Sequence, residues 1–293
     1  MSGTATNKYP EAPSEIRKAA LINLLTDEDP AIYQVVRNQI IAFGEPATGW
    51  MHPHTLSRDP VLRRRAQEIV QHFSRHHADD RFLAFCLNQG EDLNLEEAAW
   101  LLSQTQYPDI NTEAYQALFD SHAGELREQL DPRGDANHIV GVLNHYVFEV
   151  LGFRGDEENY HDPENSYLSR VVDRRKGNPI SLCQVYLLLA KRLKLPIAGI
   201  GLPGHFICRF QTPSEEYYID VFNRGKLWTK VDCVQYLIQG NYNPQTEFMA
   251  PATPRRMLAR ICQNLQNAYQ LLKMPEETQR ILRYATALNR RND

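Results

Sequence analysis

The chain of 293 residues is long enough for about two ordinary domains, and its 42% hydrophobic content can supply their cores. Its formal net charge of -4, from 32 basic and 36 acidic residues, provides no general attraction to nucleic acid or to an anionic membrane. We therefore expect neither nucleic acid nor a membrane among its partners.

The cysteine pattern indicates a reducing compartment. The chain has five cysteines, an odd number, and they are widely spaced and mostly set among apolar residues. This suits buried reduced thiols better than a disulfide framework, so we expect a cytoplasmic protein. The first residues are polar and contain proline, unlike a secretory signal, and they predict a flexible tail over residues 1–14. The cysteines are Cys86, Cys183, Cys208, Cys233 and Cys262.

Residues 15–155 predict an all-helical N-terminal region. Apolar residues recur at helical spacing in two runs within residues 15–43, which are separated by "TDEDP", where Pro30 can begin the second helix. Taken alone, this helical hairpin resembles one HEAT-type unit. Further helices are predicted over residues 60–77, 79–88, 94–104, 111–130 and 135–151.

The pattern changes in "LGFRGDEENYHDPENSYL", a long irregular connection of the kind that often carries function. Whether residues 156–166 form a lid is left open. A helix from 179 to about 194 follows, and then three short runs rich in β-branched and aromatic residues: "PIAGIGL", "HFICRFQ" and "YYIDVFN". They predict a small antiparallel sheet packed on the helix, within a core over residues 156–250.

Residues 251–293 return to amphipathic helices. Two runs over residues 255–291 meet at "KMPEE" and resemble a single tetratricopeptide hairpin. The whole chain therefore predicts a mostly helical α+β protein.

The start of the 179–194 helix and the strands after it contain the candidate catalytic residues. Asn178 is a good N-cap and Pro179 suits the first helical position, so Ser181 lies in the first turn. The positive potential there can lower a thiol pKa and stabilise an oxyanion, so a first-turn Ser or Cys is a reasonable nucleophile. Paired strands would bring Asp220 beside His205 and fix its imidazole as the third member of a triad does.

The segment "YHDPENSYLSRVVDRRKGNPISLCQVYLLLAKRLKLPIAGIGLPGHFICRF" resembles the core of the bacterial SirB-type transglutaminase-like family. Flanking matches, among them "LNLEEAAWLLSQTQYPDIN", "IDVFNRG" and "APATPRRMLARICQNLQNAYQ", extend the resemblance over nearly the whole chain from about residue 15. It implies a papain-like transglutaminase fold flanked by helical regions, with the triad histidine at His205 and the triad aspartate at Asp220.

The nucleophile departs from the family pattern. Transglutaminase-like enzymes commonly carry Gly-x-Cys at the helix start, whereas this chain reads "GNPISLC" from Gly177. Cys183 projects about 200° around the helix from Ser181, so both cannot face His205. Ser181 shares its face with Gln184 and Lys191, which predicts that Ser181 points toward a polar cleft and Cys183 toward the core.

Other polar residues near the helix start have structural or binding interpretations. Arg175, Asn178 and Gly204 are expected to support the helix entrance and the cleft. The charge run over residues 173–176 could bind an anion, although such runs usually form salt bridges or stay solvated. The histidine pairs at 52/54 and 76/77 lack suitably spaced ligands, so we expect no metal and no other cofactor.

Two functions follow. The first is a degenerate transglutaminase-like protein that binds a protein or peptide, in which Ser181 only caps its helix. The alternative is an amide- or peptide-directed acyl transferase or hydrolase that uses Ser181 or Cys183 with His205 and Asp220. The sequence leaves the oligomeric state open.

Overall fold

The computed structural model describes residues 13–131 and 134–290, which form two compact units. One comprises the described residues of Met1–Asp80 together with Thr105–Pro108, and the other comprises Arg81–Gln104 with the described residues of Asp109–Asp293. The predicted tail over 1–14 falls mainly on residues 1–12, which lie outside the described residues. The fold is mostly helical with small sheets, as the sequence predicted.

The first unit begins with helices α1 (Glu15–Leu24) and α2 (Pro30–Ala42), which confirm the predicted hairpin. The Ser14 side chain caps α1, and Asp29 caps α2 with Pro30 in the first turn. A short helix α3 (Pro46–Met51) that the sequence analysis missed follows. The core packs side chains of α1–α3 against residues of the next helix: Leu21, Leu25, Val36, Ile40, Phe43, Ala47, Met51, Ala66 and Ile69.

Helix α4 (Pro60–Asn88) corrects one prediction. The sequence indicated two helices, over 60–77 and 79–88, but the structure has one continuous helix of 29 residues. The polar run around residue 78 contains no glycine or proline, so no backbone constraint ends the helix there.

In the described part of the chain, eight further α-helices follow α4. Predicted helix 135–151 is α7 only as far as Asn144, and a π-helical segment, His145–Val150, continues it. The sequence analysis missed α8 and α10. No helix within residues 13–131 and 134–290 is long and apolar enough to cross a membrane. The helices are α5 (Leu95–Gln106), α6 (Thr112–Gln129), α7 (Ala136–Asn144), α8 (Leu168–Arg174), α9 (Pro179–Arg192), α10 (Lys230–Gln239), α11 (Pro254–Leu271) and α12 (Pro275–Asn289).

Two small sheets accompany these helices. A parallel pair joins β1 (Arg154–Gly155) to β2 (Lys176–Gly177), just before α9. The predicted antiparallel sheet is confirmed in the order β3-β4-β5-β6, with a fourth strand too short for the pattern to reveal. Its strands are β3 (Ile197–Ile200), β4 (Ile207–Gln211), β5 (Glu216–Asp220) and β6 (Lys226–Trp228).

Helix α9 is the central helix of the second unit. Eleven of its 14 residues are buried, and it contacts α6, α8 and α11 as well as β3 and β4. Because neighbours cover it on several sides, its sequence is apolar around most of its circumference. Its first turn nevertheless reaches a cleft, and the functional site is built there.

A buried arginine fixes the C-terminal hairpin formed by α11 and α12. Arg255 is 5% exposed, and its guanidinium donates to carbonyl oxygens at the ends of two helices. These are the carbonyls of Cys86 and Gln89 near the end of α4, at 3.1 and 2.7 Å, and of Ala287, Leu288 and Arg290 near the end of α12, at 2.9, 2.8 and 3.2 Å. The guanidinium thus satisfies orphan carbonyls at two negative helix termini.

We predict that Arg255→Met lowers the free energy of unfolding by at least about 3 kcal/mol, because each buried acceptor left unpaired costs about 1–3 kcal/mol. Urea unfolding followed by circular dichroism measures the change. Arg256→Met is the matched control, since Arg256 is the next residue of the same helix and is exposed. A loss in the Arg255 variant no larger than in this control would contradict the prediction.

Candidate functional site

A cleft of about 720 Å³ lies within the second unit. One side consists of the segment before α8, the start of α9 and the loop before β4: Tyr160, His161, Asp162, Ser166, Asn178, Pro179, Ile180, Gly204, His205 and Phe206. The other side is the C-terminal hairpin: Arg256, Ala259, Arg260, Gln263, Asn264, Gln266, Asn267, Ala268, Leu282, Ala285, Thr286 and Asn289. Its volume falls in the range of small-molecule and short-peptide sites.

His205 and Asp220 form a hydrogen-bonded pair at one edge of the cleft. His205 lies two residues before β4, and Asp220 is the last residue of β5. The His205 Nε2 atom is 3.0 Å from Asp220 Oδ1, so the predicted hydrogen bond is present. Asp220 is fully buried and also accepts hydrogen bonds from the backbone and side-chain N–H groups of Asn223, at 3.2 and 2.7 Å.

The hydrogen bonds keep Asp220 ionised and fix the tautomer of His205. Burial by itself would raise the pKa of the Asp220 carboxyl. The hydrogen bond from His205, the positive charge of that ring when it is protonated, and the two hydrogen bonds from Asn223 hold the pKa below its ordinary value. An ionised carboxylate only accepts hydrogen bonds, so Nε2 carries the proton that it receives. The neutral imidazole then has its lone pair on Nδ1, which makes that atom the base of the ring.

Ser181 corrects a second prediction, because it does not face the cleft. It is fully buried, and its hydroxyl donates to Asn178 Oδ1 at 2.9 Å. The same oxygen accepts from the Ser181 backbone N–H at 3.1 Å, so the hydroxyl belongs to the helix cap. The prediction failed because the helical face that carries Ser181 and Gln184 is buried rather than exposed to a cleft. The Gln184 amide donates to the backbone oxygen of Leu95 at 3.4 Å.

Cys183 is buried in the core, as its helical position predicted. Its sulfur lies 3.5 Å from the backbone oxygen of Phe206. Burial raises the pKa of the Cys183 thiol well above its ordinary value, which removes the reactive thiolate. Neither Ser181 nor Cys183 borders the cleft; among the described residues of α9, Pro179 and Ile180 do.

Two of the three predicted support residues border the cleft. Asn178 caps α9, and its Nδ2 donates to Ser166 Oγ at 2.8 Å. Gly204 has a φ of +75°, and a Cβ added there would lie 3.2 Å from the Tyr236 hydroxyl, so glycine suits both the backbone and the space.

Arg175, the third predicted support residue, does not border the cleft. It ends α8 in the left-handed conformation, with a φ of +56°. Its guanidinium donates to the backbone oxygen of Leu151 and lies 5.1 Å from the ring centre of Phe153. Arg175 therefore stabilises the chain around β1 and β2 instead.

Ion pairs account for the neighbouring charges. Arg174 pairs with Asp156 at 3.2 Å, Asp162 at 2.9 Å and Glu164 at 3.0 Å, and Lys176 lies 3.7 Å from Asp156. The basic side chains thus tie down the segment 156–166, part of which forms a wall of the cleft. Within the described ranges, no three His, Cys, Asp or Glu side chains are grouped to hold a metal ion.

Comparison with known proteins identifies the family. Residues 113–263, just over half of the chain, match the model of the transglutaminase-like superfamily. The chain belongs to this superfamily. Pro179, two residues after Gly177, borders the cleft.

Several known proteins are similar to parts of this transglutaminase-like chain. A UPF0162 protein of Xylella fastidiosa strain 9a5c is 33% identical over 185 residues, which cover 61% of this chain and 66% of that protein. A UPF0162 protein of Pseudomonas aeruginosa is 28% identical over 204 residues, 67% of this chain and 74% of its own length. F-box only protein 21 of Mus musculus is 33% identical over 110 residues, 35% of this chain and 17% of that protein. No solved structure matches.

The sequence analysis missed the wall that α11 contributes to this transglutaminase-like cleft. Arg256, Arg260, Gln263, Asn264 and Asn267 all border the cleft. Their spacings of four, three, one and three residues place them on one helical face, which was visible in the sequence. The sequence did not show that this face borders a cleft with His205, because α11 and His205 are far apart in the chain.

We predict that Asp220→Asn lowers the free energy of unfolding at about pH 7 by roughly 1–3 kcal/mol, because it weakens hydrogen bonds to a buried charge. The folded-state pKa of Asp220 lies below the ordinary carboxyl value, so its stabilisation is complete above about pH 4. It is lost as the pH falls through the lower folded-state value.

Urea unfolding of both proteins between about pH 7 and pH 2 tests this expectation, and the difference between them should shrink below about pH 4. Asp92→Asn is the control because it makes the same chemical change at an exposed position. A difference between wild type and Asp220→Asn that stays constant across this range would refute the assigned role of the ionised carboxylate.

Proposed function

We propose that this chain is a SirB-type transglutaminase-like protein that binds a protein or peptide segment in its cleft and uses no nucleophile from α9. The observation that carries the proposal is the first turn of α9. Pro179 and Ile180 border the cleft there, while Ser181 and Cys183 are fully buried and engaged elsewhere. A hydroxyl that donates to the N-cap side chain of its helix and a thiol with a raised pKa are both poorly activated.

The cleft walls suit a peptide. Gln263, Asn264 and Asn267 carry amide groups that both donate and accept hydrogen bonds, as peptide groups do. Ile180 and Phe206 add apolar surface on the other side. The match to F-box only protein 21 covers 17% of that protein, so the partner is inferred from the chemistry of the cleft rather than from that name.

The proposed organisation places this cleft between a core and its C-terminal flank. We assign residues 156–250 to the transglutaminase-like core, residues 15–155 to a helical N-terminal region with a HEAT-like start, and residues 251–293 to a tetratricopeptide-like hairpin. Helical hairpins of these kinds serve as interaction modules, which supports a protein partner. The five cysteines are free and buried, which supports a reducing, cytoplasmic location.

The pair of His205 and Asp220 favours a second function, amide- or peptide-directed hydrolysis or acyl transfer. With Asp220 accepting from Nε2, the Nδ1 atom of His205 can accept a proton from water or from a hydroxyl group at the edge of the cleft. Attack by Ser181 or Cys183 would in addition require the first turn of α9 to rearrange. The first function is preferred because the native first turn offers neither group.

Covalent labelling tests whether Ser181 or Cys183 serves as the nucleophile of the second function. We predict that iodoacetamide labels Cys183 slowly in the native protein and rapidly after denaturation, and that a fluorophosphonate leaves Ser181 unlabelled. Peptide mass spectrometry locates and times the labels. His205→Ala and Cys183→Ala are the comparison variants. Fast native labelling of either residue that disappears in His205→Ala would establish an activated nucleophile and overturn the proposal.

Peptide binding has its own test. A phage library of random heptapeptides selected on the native chain should yield peptides that bind wild type and fail to bind Ala259→Trp, whose indole would fill the cleft. Ala117→Trp is the matched control, since Ala117 is exposed on α6 and does not border the cleft. Failure to enrich any peptide, or equal binding to both variants, would count against a peptide site in the cleft.

A further inference from the structure

The charges that border the cleft are unbalanced. Among the described residues that border the cleft, Asp162 is the one carboxylate, and it is already paired with Arg174 at 2.9 Å. Arg256 and Arg260 border the same cleft, and the described residues place no carboxylate within ion-pair distance of either. The guanidinium groups of Arg256 and Arg260 thus have no carboxylate partner in the described structure, although the chain as a whole has a formal net charge of -4.

Arg260 is held next to the loop that carries His205. Its Nη1 donates to the backbone oxygen of Leu202 at 2.8 Å, and its guanidinium carbon lies 5.8 Å from the ring centre of Phe206. Burial lowers the pKa of this guanidinium below its ordinary value, although nearby tyrosines act in the opposite direction. A charge that has lost hydration without gaining a counter-ion is stabilised by an anion that enters beside it.

The amide side chains of α11 extend this site away from the arginines. The five polar residues of α11 that border the cleft, from Arg256 to Asn267, span eleven positions, or about 16 Å along the helix. An extended peptide rises about 3.3 Å per residue, so roughly five peptide residues would cover this length of α11. Gln263, Asn264 and Asn267 could then pair with peptide N–H and C=O groups, while an arginine meets a negative group.

We propose that the cleft binds an extended acidic peptide segment, with a ligand carboxylate on Arg260 and the ligand backbone along the amides of α11. This inference rests on the proposed function and gives it a ligand class. Arg260 can meet a carboxylate with two parallel N–H groups, a geometry that lysine cannot reproduce. Arg256 is exposed and adds a longer-range attraction that salt screens.

Fluorescence anisotropy with defined probes tests the ligand class on the full chain. The acidic probe is a fluorescein-labelled peptide of alternating glycine and glutamate, about five residues long, with an amidated C-terminus. The neutral probe replaces each glutamate with glutamine. A third probe is the neutral peptide with a free C-terminal carboxylate, which separates side-chain carboxylates from a chain end.

The acidic probe should bind wild type about ten-fold or more tightly than the neutral probe, because only it offers side-chain carboxylates. Arg260→Gln should remove most of this preference, Arg260→Lys should keep part of it, and Arg256→Gln should lower it less. Arg283→Gln is the matched control, since Arg283 is exposed on the same hairpin and does not border the cleft. If the third probe binds as tightly as the acidic one, the carboxylate is that of a chain end and the inference stands.

Equal binding of all three probes to wild type would overturn the inference, and this comparison depends on no variant. The same holds if Arg260→Gln melts like wild type and keeps the full preference for carboxylate. Selected heptapeptides that bind in the cleft but carry no acidic group would sink the acidic ligand while leaving peptide binding intact. Fast native labelling of Cys183 or Ser181 that depends on His205 would instead contradict the proposed function itself.

Discussion

The site depends on one buried amide, Asn178, because the central helix begins inside the protein rather than at its surface. A helix start leaves backbone N–H groups without intrahelical partners, and buried donors of this kind are costly to leave unpaired. Asn178 accepts from both the backbone and the hydroxyl of Ser181 and donates to Ser166. One side chain therefore joins the start of α9 to the segment that forms a wall of the cleft, and it engages the hydroxyl that the sequence pattern suggested as a nucleophile.

The consequence is a hydrogen-bonded pair of His205 and Asp220 at a cleft that neither Ser181 nor Cys183 borders. Asp220 remains ionised in the interior because three hydrogen bonds from His205 and Asn223 offset its loss of hydration. These hydrogen bonds stabilise the buried carboxylate whether or not the protein catalyses a reaction. A histidine with a fixed tautomer is also a directional hydrogen-bond acceptor, which a binding cleft can use as well as an enzyme can.

How far the sequence predicts this structure depends on whether the signal is local. Helical spacing correctly predicted α1, Pro30 predicted the start of α2, and Asn178 with Pro179 predicted the start of α9. The β-branched runs predicted three of the four antiparallel strands. Periodicity failed for Ser181, because a helix covered on several sides has no single solvent face. The partner of Gln184 is a backbone oxygen 89 residues away, and no local pattern contains that information. The same limit hid Arg260, whose helical face was visible while its neighbours were not.

Adjacent residues of α11 project in different directions, one into the interior and one to the cleft that we propose binds a ligand. Arg255 points into the interior and fastens the hairpin to the ends of α4 and α12, whereas Arg256 is exposed and borders the cleft. Because successive side chains of a helix project about 100° apart, fixing Arg255 in the interior also fixes the direction in which Arg260 and the amides project. The surface that we propose for recognition is thus carried by a rigid helix rather than by a loop. Little of the binding free energy has to be spent on ordering it, and the spacing of its polar groups can select the ligand.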